Sequence, residues 1–156
     1  MNEAAKGPTD IQIRVAGALG VAIEGDSRGV VAARLHDAVA EAIGDRYGVR
    51  LATARQVQFA SGLGLDVHGD TLRVASARIA DELERRNRDA LVVLNLKEGD
   101  RVLLRRAYEI DGCRQEWTRE VTVSSIDARG RLHFKGGNGD GAWPTEVERL
   151  GTVGSS

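Results

Sequence analysis

Few side chains in this chain stand at spacings that do chemistry. The adjacent His36 and Asp37 could begin a divalent-metal site, but such a centre needs several ligands and the only histidines are His36, His68 and His133. Both lie inside a helical apolar pattern, where they form an exposed polar pair. Asp66-Val67-His68-Gly69-Asp70 offers oxygen and nitrogen donors. A turn followed by a helix cap at Asp70 accounts for the same residues. Gly136-Gly137-Asn138-Gly139-Asp140-Gly141 sets an aspartate among glycines as a calcium loop does, yet nothing repeats, and its Asn-Gly and Asp-Gly pairs suit tight hairpin turns. Gly17-x-x-Gly20 lacks the spacing of a dinucleotide loop, and no Gly-Lys-Ser/Thr follows any glycine cluster. Ser61 has no nucleophile-elbow pattern, and Cys113 has only Arg114 beside it to activate a thiol. These readings supply no catalytic residue, no metal site and no cofactor, so the expectation is a non-enzymatic protein that binds.

Charge balance narrows the partner only weakly. The 156 residues carry 22 Lys and Arg against 23 Asp and Glu, a net charge of -1, which exerts no global pull on nucleic acid or an anionic membrane. Basic and acidic residues also balance between Lys97 and Leu150. With 42% apolar residues there is enough to bury a core, and at 4% aromatics that core must be built from Val, Leu, Ile and Ala. A single cysteine excludes an intramolecular disulfide and suits a reducing compartment. No apolar run reaches membrane-spanning length and the polar start is unlike a signal peptide, so no membrane partner and a cytoplasmic location are expected. The Gly-, Ser- and Ala-rich ends, 1–9 and 151–156, read as flexible.

The elements that must position any site divide into two groups. Residues 10–95 read as a helical α+β unit. The alternation Ile11, Ile13, Val15 predicts a strand over Asp10 to Val15. From Gly29 the period becomes helical through Val31, Leu35, Val39, Ala42, Ile43 and Tyr47, with Asp26 or Ser27 as cap and Gly48 as stop. A second helix starts at Thr53, with Gln56 completing a capping box, and ends at Gly62. The third, capped by Asp70 or Thr71, carries Leu72, Ala75, Ile79 and Leu83 and ends near Arg86 or Asn87. A strand over Ala90 to Asn95 is then expected to pair with Arg101 to Arg106.

Residues 96–150 read as a small β-module. Gly99 turns the chain into Val102, Leu103 and Leu104. A long loop follows from Ala107 to Glu116. The run Trp117 to Ser125 then sets Trp117, Val121 and Val123 on one face and Thr118, Glu120, Thr122 and Ser124 on the other. In Arg131 to Lys135, Leu132 and Phe134 face inward, and a short strand at Ala142-Trp143 precedes a helical turn, Thr145 to Arg149, with Thr145 and Glu148 as its capping box.

Two resemblances follow. A Gly-Asp-x-Val entry strand, a long first loop, a three-strand meander and a Trp-Pro leading into one helical turn resemble the SH3-like barrel of the Tudor, KOW and agenet kind. Barrels of this kind bind methylated side chains, nucleic acid, proline-rich peptides or a neighbouring domain, so the fold leaves the ligand open. The resemblance implies that Tyr108, Trp117 and Trp143 form one patch where the first loop meets the later hairpin. Beside Arg105, Arg114 and Arg131 that patch would suit a nucleic-acid backbone, and beside Glu109, Asp111 and Glu116 a cationic peptide. The order helix, short helix, turn, longer helix, hairpin resembles a winged helix-turn-helix, which implies that Thr71 and Arg73 face a groove at the start of the recognition helix. Against it, the link Gly64 to Thr71 carries two acids, and Asp81, Glu82 and Glu84 each stand one turn before Arg85, Arg86 and Arg88, the pattern of a solvated face. The fold class expected is therefore α+β: a three-helix unit with a winged-helix-like hairpin, then an SH3-like barrel. The function expected is a nucleic-acid-associated binding or regulatory protein acting on DNA or RNA. The alternative is a protein-protein or peptide adaptor, compatible with a homodimer.

Overall fold

The first helix shows how local capping overrides an alternating pattern. In this computed structural model, which describes residues 6–45 and 48–151, Asp10–Leu19 is helix α1 and not the strand that its alternating isoleucines suggest. Thr9 Oγ1 accepts the Gln12 amide at 3.2 Å while Gln12 Oε1 accepts the Thr9 amide at 2.9 Å, a complete capping box. Gly20, at φ 66°, closes the other end. Nothing nearby could have paired such a strand: the described β-pairing before Arg101 is one isolated bridge, Leu51 to Thr71.

Helix α2, Arg28–Ala42, is capped by Ser27, whose Oγ accepts the Val30 amide at 3.2 Å. It stops before Gly48 because Gly44 turns left-handed at φ 70°, and the Asp45 amide then bonds back to the Ala40 carbonyl. Tyr47, expected in this helix, lies outside the described residues. Helix α3, Ala54–Gly62, has the expected Thr53–Gln56 capping box. Helix α4, Leu72–Leu94, begins where expected, with Thr71 Oγ1 accepting the Val74 amide, but runs past Asn87 to Leu94. The segment expected as a strand at Ala90 to Asn95 is therefore helix as far as Leu94 and a turn at Asn95, and the winged-helix order loses its hairpin. The reason is side-chain periodicity: Leu91 and Leu94, three residues apart, pack on an apolar core, while Val92 and Val93 point away at 75% and 82% exposure.

The chain divides into two compact units between Arg85 and Arg86, inside α4. In the first, Val30, Ala33 and Val74 form one buried cluster, and Ala60, Val67 and Ala75 another. In the second, five antiparallel strands form an open sheet: β1 Arg101–Ile110, β2 Cys113–Ile126, β3 Leu132–Phe134, β4 Gly141–Ala142 and β5 Val147–Arg149, in the order β4-β3-β2-β1-β5. Its core is Leu96, Val102, Leu104, Val123, Leu132, Phe134, Ala142 and Val147. The architecture is thus mixed α+β, four helices and an open sheet. Among the described residues β4 and β5 remain the two edges, so the sheet does not close into a barrel. The expected helical turn is shorter than the sequence suggests. Pro144–Glu146 forms a 3₁₀ turn in which the Glu146 carboxylate accepts the Trp143 amide at 2.6 Å, and the chain then straightens into β5 against β1.

Candidate functional site

The long loop expected between Ala107 and Glu116 is a β-ribbon. β1 and β2 pair without interruption from Arg101–Thr122 to Ile110–Cys113, and Asp111-Gly112 joins them with φ of 51° and 75°. Positive φ at both central residues makes this a two-residue turn matched to the twist of paired strands, and Asp-Gly is a favoured dipeptide for it. β5 covers the outer edge of β1 only as far as Leu104, and β3 pairs with β2 only from Val123 onward. Beyond Leu104 the six residues to Ile110 therefore extend about 20 Å as a two-stranded arm. Every residue from Ala107 to Glu120 is exposed.

Opposed residues of an antiparallel pair share a face, so the register sorts the side chains of this arm. One face continues the core face of the sheet and carries Arg106 opposite Trp117, Tyr108 opposite Gln115, and Ile110 opposite Cys113, with Arg119 two residues beyond Trp117 on β2. No ribbon residue on this face is acidic, though Asp140 reaches Arg106 from outside the ribbon. The other face carries Arg101, Arg105, Arg114, Glu109, Glu116 and Glu120. There the charges neutralise one another: Arg101 pairs with Glu120, Arg105 with Glu148 at 2.6 Å, and Arg114 with Glu116 at 3.6 Å. On the aromatic face Arg106 is held by Asp140 at 3.1 Å and by the Gly141 carbonyl at 2.9 Å, which fixes its guanidinium beside Trp117's strand. The Arg119 side chain has no ion pair or hydrogen bond among the described residues. Trp117 and Tyr108 are 38% and 45% exposed. The Tyr108 hydroxyl donates to Gln115 Oε1 at 3.3 Å.

The structure thus joins Tyr108 and Trp117 but distributes the other expected residues. Arg105 and Arg114 lie on the opposite face. Trp143 is half-buried on the segment leading into the 3₁₀ turn. Arg131 sits at the turn between β2 and β3, where its Nε is 3.0 Å from the position a Cβ on Gly141 would take, so it approaches the same glycine that anchors Arg106. That turn is organised by Asp127, whose carboxylate accepts the Arg131 amide at 3.0 Å and the Arg129 amide at 2.8 Å. The Arg131 N–H above all holds the Asp127 carboxyl below the ordinary aspartate value of 3.8.

Thr71 and Arg73 belong to the first unit and are engaged there by Asp37. This carboxylate is buried, accepts from the Thr71 hydroxyl and takes the Arg73 guanidinium at 2.9 Å, while Arg73 also donates to the Gly48 carbonyl. Asp37 is therefore a buried strut of the helical unit, not the exposed partner of His36 that the sequence suggests. Sequence reasoning missed Arg106 and Arg119 as neighbours of Trp117. The signal was present in Ile110-Asp111-Gly112-Cys113, a hairpin dipeptide between runs of period two.

A cleft of about 440 Å³ borders the sheet beside the arm, lined by Arg105, Arg106, Ala107 and residues Thr145 to Glu148. Its polar groups are spent internally: Glu148 on Arg105, Glu146 on the Trp143 amide, and the Thr145 hydroxyl on Asn87 Oδ1 at 2.7 Å. Among the described residues no group of three or more His, Cys, Asp or Glu is gathered as a metal site, and no helix is long and apolar enough to cross a membrane. Compared with known protein families, curated proteins and solved structures, the chain matches none.

Proposed function

We propose that this is a non-enzymatic nucleic-acid-binding protein of the cytoplasm, with an SH3-like β-module whose arm is the binding element. The observation that carries the reading is the segregation of charge across the arm. Among the described residues the face with Trp117 and Tyr108 keeps Arg119 without a partner and Arg106 paired only with Asp140 from outside the ribbon, while every glutamate of the ribbon stands on the other face. Aromatic rings interleaved with guanidinium groups favour a polyanion with π-faces. A net charge of -1 is compatible with this, because binding then depends on a local cationic face and not on the field of the whole molecule.

The test is a titration of labelled DNA and RNA, single- and double-stranded, with the full chain at about 50 mM salt and then at rising salt. Binding that weakens as salt rises, and that is lost when Arg106 and Arg119 are both changed to Glu, supports the reading. Absence of binding at low salt to every member of the set would overturn it. A second reading, a protein or peptide adaptor, draws on the unpaired main-chain edges that β1 beyond Leu104 and β2 before Thr122 present. It requires a partner whose binding is insensitive to the double charge reversal.

A further inference from the structure

Resting on the nucleic-acid reading, we infer that the arm takes a single strand, with unpaired bases stacked on Trp117 and Tyr108 and adjacent phosphates held by Arg106 and Arg119. The alternative ligand of a β-ribbon is a duplex, whose major groove can admit two strands. Duplex bases offer only their edges, and reading edges needs free donors and acceptors. On this face the Gln115 oxygen is taken by the Tyr108 hydroxyl, which leaves, besides the arginines, only the Gln115 amide N–H groups and the Trp117 indole N–H as side-chain nitrogen donors. The large free surfaces are instead ring faces, which a duplex keeps hidden in its own stack and a single strand can supply.

Charge supports the same choice. A protein that clamps a duplex backbone neutralises about six to ten phosphates. Two arginines, Arg119 without a partner among the described residues and Arg106 sharing its charge with Asp140, fit a short run of one strand at most, with the rings providing the remaining affinity. Across the ribbon Tyr108 and Trp117 are diagonal neighbours, because Tyr108 faces Gln115 and Trp117 faces Arg106. Diagonal positions stand about 7–8 Å apart, so the two rings serve successive bases rather than compete for one place.

The experiment measures the anisotropy of a labelled mixed-sequence 12-mer, as a single strand and as its own duplex, with the full chain. The single strand is expected to bind at least about tenfold more tightly than the duplex. Its log-affinity should fall with log salt at a slope of about -1.4, the value for two phosphates on a single strand, or about sevenfold between 50 and 200 mM. Trp117→Ala should weaken it by about 5- to 150-fold, the range for one lost base stack, and Trp117→Phe should restore most of that. Arg119→Ala should halve the slope to about -0.7. If the duplex binds as tightly as the single strand and Trp117→Ala changes nothing, the single-strand inference falls while the nucleic-acid reading stands. If neither form binds at about 50 mM salt, both fall together.

Discussion

Replacing Gly112 with alanine would loosen the arm and leave the rest of the sheet intact. Gly112 sits at φ 75°, and a Cβ built on it meets nothing within 4 Å, so the whole cost lies in the backbone. A non-glycine residue held in the left-handed region costs about 1–2 kcal/mol. The arm has little to set against that loss. From Ala107 to Glu120 both faces are exposed, no core side chain is buried, and an isolated two-stranded hairpin is marginal in water. Its local opening therefore lies at the low end of the stability range within the unit. A cost near 1.4 kcal/mol raises the open population about tenfold.

The readout is amide hydrogen exchange. In a two-residue hairpin the pair flanking the turn exchanges both main-chain bonds, and every second pair after it does the same. Protection at Ile110, Cys113, Tyr108 and Gln115 should then fall about tenfold, within a range of roughly 5 to 30. Val102, Leu104 and Val123, which are buried in the core, should exchange as before, and the melting temperature should not move. Unchanged protection in the arm would show that it is not held by its turn. An equal loss throughout the sheet would show that arm and core open as one cooperative unit. Either result would refute the reasoning.

In the helical unit, Asp37→Ala removes the acceptor for the Thr71 hydroxyl and the partner of Arg73, which keeps contact with solvent. A loss of about 2 kcal/mol is expected, less than for a fully buried pair. In a unit of this size that lowers the helical melting transition, followed by circular dichroism, by roughly 8–16 °C; a shift under about 2 °C would show that Asp37 is not the strut described. At the β2–β3 turn, the Asp127 carboxyl should titrate below 3.8 by carbon-detected NMR, and His133→Ala should raise its midpoint only slightly because the Arg131 amide is the main cause. Its folded pKa is depressed, so the turn's stabilisation is present above the unfolded value and is lost as pH falls through the folded one. A midpoint at or above 3.8 would contradict the hydrogen bonds assigned to it.

What was legible in the sequence was whatever a few neighbouring residues decide among themselves. Ser27, the Thr53–Gln56 box and Thr71 cap their helices as read, because a cap is a bond between residues three apart. The period-two faces of Trp117 to Val123 and of Leu132 and Phe134 are also as read, since side chains of a strand alternate wherever its partner lies. The Asp10 segment carries two competing local signals, the strand period of Ile11, Ile13 and Val15 and the Thr9–Gln12 capping box, and the box prevails where the described residues before Arg101 offer no partner edge to pair a strand.

Only the tertiary structure decided three things. It made Ala90 to Leu94 the end of a helix, because the sheet beneath offers Leu91 and Leu94 a place to bury. It spent Thr71 and Arg73 on Asp37, residues more than thirty positions apart that no spacing rule connects. It chose Arg106, not Arg105, as the charge across from Trp117, whereas Arg119 and not Arg114 shares the face of Trp117 by strand alternation alone. Side-chain direction in a strand flips with every residue, so a shift of one place in pairing would have put Arg105 and Glu109 there instead of Arg106 and Tyr108. Local chemistry therefore determined which elements form, and long-range register determined which side chains meet.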